Sequence, residues 1–525
     1  MNRFSITLLL VSFFVFCSKS YAQVVNGYAR VTNIAGNQVT ISTAAGEINE
    51  TADTFDNGDL IIIMQMQDNV IGSTANDATF GNLGSIQSAG LYEIRQIVSQ
   101  VSGPPRVLTL DAAPSNTYNL GANSSVQVIT FRRFGSPNYT STSNMSALAW
   151  NGNIGGVLAI DVPGIFTLAH NLSADGAGFR GGGNDVNNVA GCDAATYFSA
   201  TGGDYAPKGE GIYRNTNPNY AAARGKILNG GGGGNTHNGG GGGGSNFSAG
   251  GTGGPGWGGS STTPCSPGVG GIGGVGLNAH ININRVFMGG GGGTGERNNN
   301  LTTNGGNGGG IIIIRAATLQ TTGVCGTPLS ITANGLAGAS PTSDGAGGGG
   351  GGGSIIFIVD NWNVSPTCTI NVRANGGNGG NVNHSAIHGG GGGGGQGVIF
   401  YTTPAPANVS NITSQGQGGC NRNPCDSRAD DGENIGTNVF FNSSTPLPVD
   451  LLNFSAKAIA HRSAKIEWLI ANTINVEKFI LERSVDMLNW QPNYTQKYNR
   501  ENYYTYVDDE IDNNLVYYRL KIIDK

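Results

Sequence analysis

Hydrophobic positions along this chain follow three different patterns. Residues 24–135 carry short apolar runs separated by turn residues. Val31-Thr32 and Val39-Thr40-Ile41-Ser42 flank a turn at Gly36-Asn37, and Gly58-Asp59 opens the run 60–66, with further strands expected near 91–98, 106–110 and 126–131. Met64-Gln65-Met66-Gln67 alternates as a strand with one buried face should. With no helical period in this stretch, its spacing reads as an all-β barrel or sandwich.

From Trp150 onward the apolar runs are preceded by glycine. Gly155-Gly156 leads into Val157-Leu158-Ala159-Ile160, the glycines of 308–310 into four isoleucines, and the seven-glycine runs 347–353 and 389–395 into Ser354-Ile355-Ile356-Phe357 and, through Gln396-Gly397, Val398-Ile399-Phe400-Tyr401. A second strand follows the first three of these, ending in Ala-Asx-Gly at 174–176, 333–335 and 374–376. Ile311, Ile355 and Val398 begin equivalent strands at offsets of 44 and 43, a period expected of stacked repeats. Residues 181–308, with glycine runs at 230–234, 239–244 and 289–293, read as a long insertion on one rung. After 443 the pattern becomes ordinary alternation, as in Ala464-Lys465-Ile466-Glu467-Trp468-Leu469, which predicts a small β-sandwich. The chain is thus read as all-β: an N-terminal β domain (23–150), a glycine-rich repeat scaffold (151–443) and a C-terminal Ig/fibronectin-like sandwich (444–525).

Composition sharpens these divisions. Of 90 glycines, 79 lie in residues 151–443 and none after Gly436, whereas 21 of the 61 charged residues lie in 444–525. Glycine loses more backbone freedom on folding than any other residue, so such runs can be flexible linkers. Here they interleave with strongly apolar strands. The expectation is therefore polyglycine helices of the extended, three-residue-per-turn kind, packed side by side and bonded through their amides. A net charge of −5 gives no reason to expect nucleic acid as a partner.

The N-terminus reads as a secretory signal peptide (1–22): Arg3, an apolar stretch at 4–16 too short to span a bilayer, and Ser20-Tyr21-Ala22 before the cleavage point. Cys17 raises a lipoprotein alternative, but Val15-Phe16 is bulky where a lipobox needs small residues. No later run is long enough for a transmembrane helix. Removing the leader leaves Cys192, Cys265, Cys325, Cys368, Cys420 and Cys425, an even number in an exported chain, read as disulfides. Cys420–Cys425 is the local pairing, and Cys325–Cys368 would tie adjacent repeats.

Leu447-Pro448-Val449-Asp450-Leu451-Leu452-Asn453-Phe454, Ile466-Glu467-Trp468, Phe479-Ile480-Leu481-Glu482-Arg483-Ser484 and Tyr517-Tyr518-Arg519-Leu520-Lys521 recur in order. Through them residues 447–525 resemble the fibronectin type III-like module of large secreted Bacteroidetes proteins, which precedes a type IX secretion sorting domain. Gly58-Asp59, Trp150-Asn151-Gly152 and Gly178-Phe179-Arg180-Gly181-Gly182 make residues 24–183 similar to the front of glycine-rich surface proteins of the same bacteria. The resemblance implies export, a cell-surface or extracellular location and the export machinery as a partner. Since that family continues beyond the point where Lys525 ends this chain, a fragment is the expectation.

Catalytic signatures are sparse. The G-x-G-x-x-G matches lack a following helix, and Gly225-Lys226 precedes Ile227 rather than Ser or Thr, which excludes a P-loop. His384 and His388 have metal-ligand spacing but abut a glycine run where a helix is not expected. Asp430-Asp431-Gly432-Glu433-Asn434 lacks EF-hand spacing and reads as a solvated acidic turn, so calcium has no support. Trp257, in a glycine bed, is the candidate ligand contact: a sugar-stacking platform or a plug between glycine helices. The reading is a non-enzymatic structural or adhesion protein without cofactors, with a glycan-binding module and then a polysaccharide-acting enzyme as alternatives. Extracellular glycans or proteins would be its partners.

Overall fold

The computed structural model describes residues 22–524 apart from 186–190, 204, 258–264, 266–267, 442–450, 461, 471–475, 488, 500, 502 and 513–514. The signal-peptide reading, with Cys17, and the expected linker at 443–448 lie outside the described residues. Among the described residues, regular structure is β throughout apart from the 3-10 turn Pro218–Tyr220.

Near the N-terminus, the strands Tyr28–Ala35, Gln38–Ile41, Arg106–Leu110, Tyr92–Val101, Leu60–Gln67 and Ser125–Thr130 pair antiparallel in that spatial order. The last pairs back with the first, closing a barrel and leaving no open edge in the ring. Val31, Val39, Ile61, Ile63, Leu108 and Val128 fill one core, while Tyr28, Ile62, Met64, Met66 and Ile129 pack outward into a second. The strand Leu60–Gln67 is thus buried on both faces, where its alternation predicts one. Its glutamines are satisfied rather than solvated: Gln65 Nε2 donates to Gln67 O (2.7 Å) and Asn119 O (2.9 Å), and Gln67 Nε2 to Gly211 O (2.8 Å).

The outer face of the barrel rests on a parallel sheet formed by Tyr139–Thr140, Val157–Leu168, Ile311–Thr321, Ser354–Asn363, Val398–Tyr401 and Val439–Phe441. A second parallel sheet holds Gln23–Val24, Met145–Ser146, Leu172–Ser173, Leu329–Thr332, Ile370–Arg373 and Val409–Ile412. Successive rungs place one strand in each sheet. The sheets take in residues 23–24 and 139–146, from the stretch grouped above with the N-terminal domain. Between them lies an apolar layer that includes Leu158, Ile312, Ile355, Phe357, Ile331 and Val372, extended by a row of rings: Phe357 to Tyr401 at 4.8 Å and Tyr401 to Phe441 at 5.7 Å. Asp161, 1% exposed, pins the barrel side of the long sheet through Arg315 (2.8 Å) and Arg133 (2.9 Å).

One register expectation is corrected. Ile311 pairs with Ser354, not Ile355, and Ser354 with Val398, so the spacings are 43 and then 44. A one-residue slip exchanges the faces of a strand. Ile355 therefore points into the layer between the sheets, whereas buried Ser354 points toward the glycine-rich side and donates to Phe287 O (2.7 Å). The insertion behaves as expected: Ile311 returns beside Val157 after the long excursion.

The glycine runs form an ordered array in which each residue bonds in a direction set by a period of three. Within 347–353, the amides of Gly347, Gly350 and Gly353 donate to Ala339, Leu336 and Ala333; those of Gly348 and Gly351 to Gly293 and Gly290; those of Gly349 and Gly352 to Gly392 and Gly395. The first two neighbours run antiparallel to the run and the third parallel. A helix with three residues per turn points its amides in three directions, which is the polyglycine geometry expected. Close packing explains the composition: a Cβ on Gly349 or Gly391 would fall onto the carbonyl oxygen of Gly377 or Gly347. Residues 429–434 join this array as one more extended chain, with Gly393 donating to Asp430 O and Gly432 to Gly416 O (2.9 and 3.0 Å). The acidic turn expected there is instead an extended segment, and its Asp431 and Glu433 carboxylates accept from the amides of Gly418 and Ala249 (2.7 and 3.1 Å).

The C-terminal module has two three-stranded antiparallel sheets, one of Leu451–Ala460, Ser463–Ile470 and Tyr503–Asp508, the other of Gln491–Lys497, Val476–Ser484 and Tyr517–Asp524. Trp468, Phe479, Tyr504 and Ile466 form its core, with the Trp468 and Tyr504 rings stacked at 5.4 Å. This is the sandwich expected from its alternation.

Candidate functional site

The six cysteines among the described residues form three disulfides. Cys325–Cys368 joins the links of successive rungs across 43 residues, Cys420–Cys425 closes a local loop, and Cys192–Cys265 spans 73 residues of the insertion.

Trp257 is half-buried at the rim of the insertion. Its ring lies 5.0 Å from that of His237, and its amide donates to His237 O (2.6 Å). His384 and His388 stack at 4.7 Å in a non-helical segment. Burial, helped by His384 and His237, pushes the His388 imidazole down to about 4. Among the described residues, no group of three or more His, Cys, Asp or Glu side chains is arranged to hold a metal ion.

A polar recess lies elsewhere. It is a cleft of about 410 Å³ lined by Gln67 from the barrel, Asn151, Gly152 and Asn153 from the turn before the first long strand, Arg180, and residues 208–210, 213–215, 221 and 227 of the insertion. Three backbone features assemble it. Asn151 Oδ1 accepts from the amides of Asn153 and Ile154 (2.9 and 3.0 Å), fixing the turn. Gly152 has φ +101°, and a Cβ there would lie 2.8 Å from Arg180 Nη2, so glycine both adopts the backbone and makes room for the guanidinium. Beneath the turn, Trp150 and Phe179 meet edge to face at 6.0 Å.

Arg180 grips Glu210 with two side-chain bonds, Nε to Oε2 at 3.0 Å and Nη2 to Oε1, which raises the Arg180 pKa further. Lys208 lines the wall with its stem, because its ammonium donates to the carbonyls of Tyr197, Ala223 and Gly225. Arg214 donates through Nη1 to Ser124 O (3.2 Å) and Nη2 to Asn153 Oδ1 (3.1 Å). Asn215 Oδ1 accepts from Asn217 N (3.0 Å). A larger recess of about 560 Å³ in the C-terminal module is lined by Ala456, Ala458, Ala460, Ile511 and Leu515 and offers fewer groups for chemistry.

Trp150-Asn151-Gly152 and Gly178–Gly182 are legible in the sequence as motifs, but nothing there shows that they meet residues 208–215. Trp257 does not line the cleft. Among the described residues no helix is long and apolar enough to cross a membrane. No protein family, no curated protein and no solved structure matches this chain.

Proposed function

We propose that this chain is an exported, non-enzymatic structural or adhesion protein of the cell surface or extracellular space. The observation that carries the reading is the three-directional bonding of the glycine runs, which ties insertion and rungs into one backbone-bonded slab. Such a slab gains order without large side chains, leaving its outward positions free to present a regular surface.

That surface is polar and in register. On the outer face of the shorter sheet, Ser330, Asn371 and Ser410 align across neighbouring strands. The alignment continues into the glycine array as a ladder of side chains accepting from the next rung's amides: Asp175 from Asn334, Asn334 from Asn375, Asn375 from Ser414 (2.6, 2.9 and 2.8 Å). Asn378 and Asn381 accept likewise from Gln417 and Cys420 (2.9 and 2.8 Å). A flat, repetitive array of amides and hydroxyls suits contact with an extended hydrated surface. Deleting the gene in its host and measuring attachment to polysaccharide-coated surfaces tests the reading. Attachment is expected to fall and to return with the intact gene; unchanged attachment and spreading would overturn it.

A second reading, glycan binding, is favoured by the cleft, whose wall is mostly amides, two guanidinium groups and a carboxylate, with Tyr213, Ala221 and Ile227 as its apolar part.

A further inference from the structure

We propose that the cleft at Asn151, Arg180 and 208–215 binds a carboxylated sugar, a uronate unit of an acidic polysaccharide, with the Arg214 guanidinium receiving the carboxylate. The inference rests on the glycan-binding reading and specifies its ligand.

Size and lining come first. About 410 Å³ lies within the ~300–1,000 Å³ range of small-molecule pockets. Most such pockets are predominantly apolar, whereas here Gln67, Asn151, Asn153 and Asn215 place amides around the recess. Asn151 is engaged at both ends, by the turn amides and by Gly46 O, but Asn153 and Asn215 use only their Oδ1 atoms on Arg214 and Asn217 and keep their Nδ2 donors for the oxygens of a hydroxylated ligand. A polyhydroxylated ligand matches this wall, and an apolar acid does not.

Charge then selects among sugars. Arg180 and Glu210 neutralise each other within the wall. Lys208 has its three ammonium protons on three carbonyls, so it offers the cleft no donor. Nearby Glu47 is held by Arg30 at 2.5 Å. Arg214 is left with a neutral carbonyl and a neutral amide as its partners, and these occupy two of its five N–H donors. The half-buried Arg214 guanidinium therefore keeps donors for a ligand and has neutral groups as its hydrogen-bond partners, with Glu47 and Glu210 acting on it only through longer-range attraction. Burial lowers the Arg214 pKa and Arg30 adds to the effect, Glu47 and Glu210 offsetting only part of it, so an incoming carboxylate in direct contact would favour the charged form further. A single planar fork matches the planar carboxylate, and one positive charge matches a monoanion better than a phosphate dianion.

Rigidity supports a built site rather than a chance hollow. Gly152 is required by both its backbone and the Arg180 guanidinium, and Arg180 and Glu210 span elements 30 residues apart. Interactions that pre-position the wall reduce the ordering cost of binding.

The test is calorimetric titration of the full chain with a uronate trisaccharide, its methyl ester, the corresponding neutral trisaccharide and a sulfated one. Binding of the acid at least ten-fold tighter than of the ester is expected, with that advantage lost in Arg214→Gln. Asn215→Asp keeps the acceptor for Asn217 while adding a negative charge, and should weaken the acid selectively while the neutral sugar is unaffected. Should Arg214→Gln melt early, the ester comparison and Asn215→Asp still decide. Equal binding of acid and ester, tighter binding of the sulfated sugar, or acid binding unchanged in both variants would overturn the carboxylate assignment. If the neutral sugar binds and the acid has no advantage, glycan binding survives and only the uronate assignment falls. If no sugar binds, both fall together, and the attachment assay alone then bears on the scaffold.

Discussion

The parallel sheets and the glycine array share the same rungs yet cohere by different physics. In the sheets, Ile312, Ile355, Phe357 and their neighbours exclude water through side chains, and the backbone ladder is secondary. In the array, 347–353 and 389–395 have no side chains at all, and order comes from amides bonded to neighbouring chains on three sides. The sheets tolerate any apolar residue of suitable volume, whereas the array tolerates almost nothing but glycine, because adjoining carbonyls occupy the place of Cβ. Low sequence complexity thus corresponds here to strict steric demand.

The largest effect should come from the sheet side of this contrast. Phe357→Ala removes a fully buried ring stacked on Tyr401 and is expected to cost about 3–5 kcal/mol in chemical denaturation. A cost below about 1 kcal/mol would mean that the array holds the rungs together without the apolar layer.

Next, Gly391→Ala forces a methyl onto the Gly347 carbonyl and should cost about 1–3 kcal/mol, with faster amide exchange along 347–353 and 377–380. Gly323→Ala, in a link where a Cβ meets nothing within 4 Å, should be neutral or slightly stabilising. Equal behaviour of the two would remove the distinction between array glycine and loop glycine.

Asn378→Ala tests the polar edge where the regions join. It removes the acceptor of the Gln417 amide, and a loss of about 1 kcal/mol is expected. Thermal melts of Asn378→Ala and Asn378→Asp side by side would separate loss of the acceptor from loss of the amide.

The smallest effect concerns pH, to which a backbone-only array is indifferent and a side-chain sheet is not. Burial pushes the Asp360 carboxyl up to about 7, and its Oδ1 has no hydrogen-bond partner. A folded-state value above the unfolded value of 3.8 means that the folded state holds the proton more tightly. The stability this contributes is full below pH 3.8 and is lost as pH rises through 7. Asp360→Asn should therefore raise Tm by about 2–4 °C at pH 8 and leave it unchanged near pH 4, a difference of roughly 1 kcal/mol. An equal shift at both pH values would assign the effect to packing rather than titration.

Much of the architecture was legible in advance, for local reasons. Alternation and turn spacing identified strands, glycine followed by β-branched residues identified rungs, and cysteine positions suggested the Cys325–Cys368 and Cys420–Cys425 links. The cleft was not legible. Arg180 and Glu210 lie 30 positions apart in the chain, and no periodic signal links them. Nor was the two-sided burial of Gln65 and Gln67, since alternation reports polarity and cannot distinguish water from a buried carbonyl as the partner.

Taken alone, the sequence determined an all-β chain, its rung period to within one residue, and the need for glycine wherever chains approach too closely for a Cβ. Those properties depend on neighbouring residues and on composition, which a linear reading contains. Only the tertiary structure decided that Ser354 rather than Ile355 faces the glycine-rich side, that the runs bond in three directions, and that Arg214 stands in a polar cleft with neutral hydrogen-bond partners. Each of these is set by contacts between residues far apart in the chain, where packing and charge compensation select one arrangement among many that the local pattern allows.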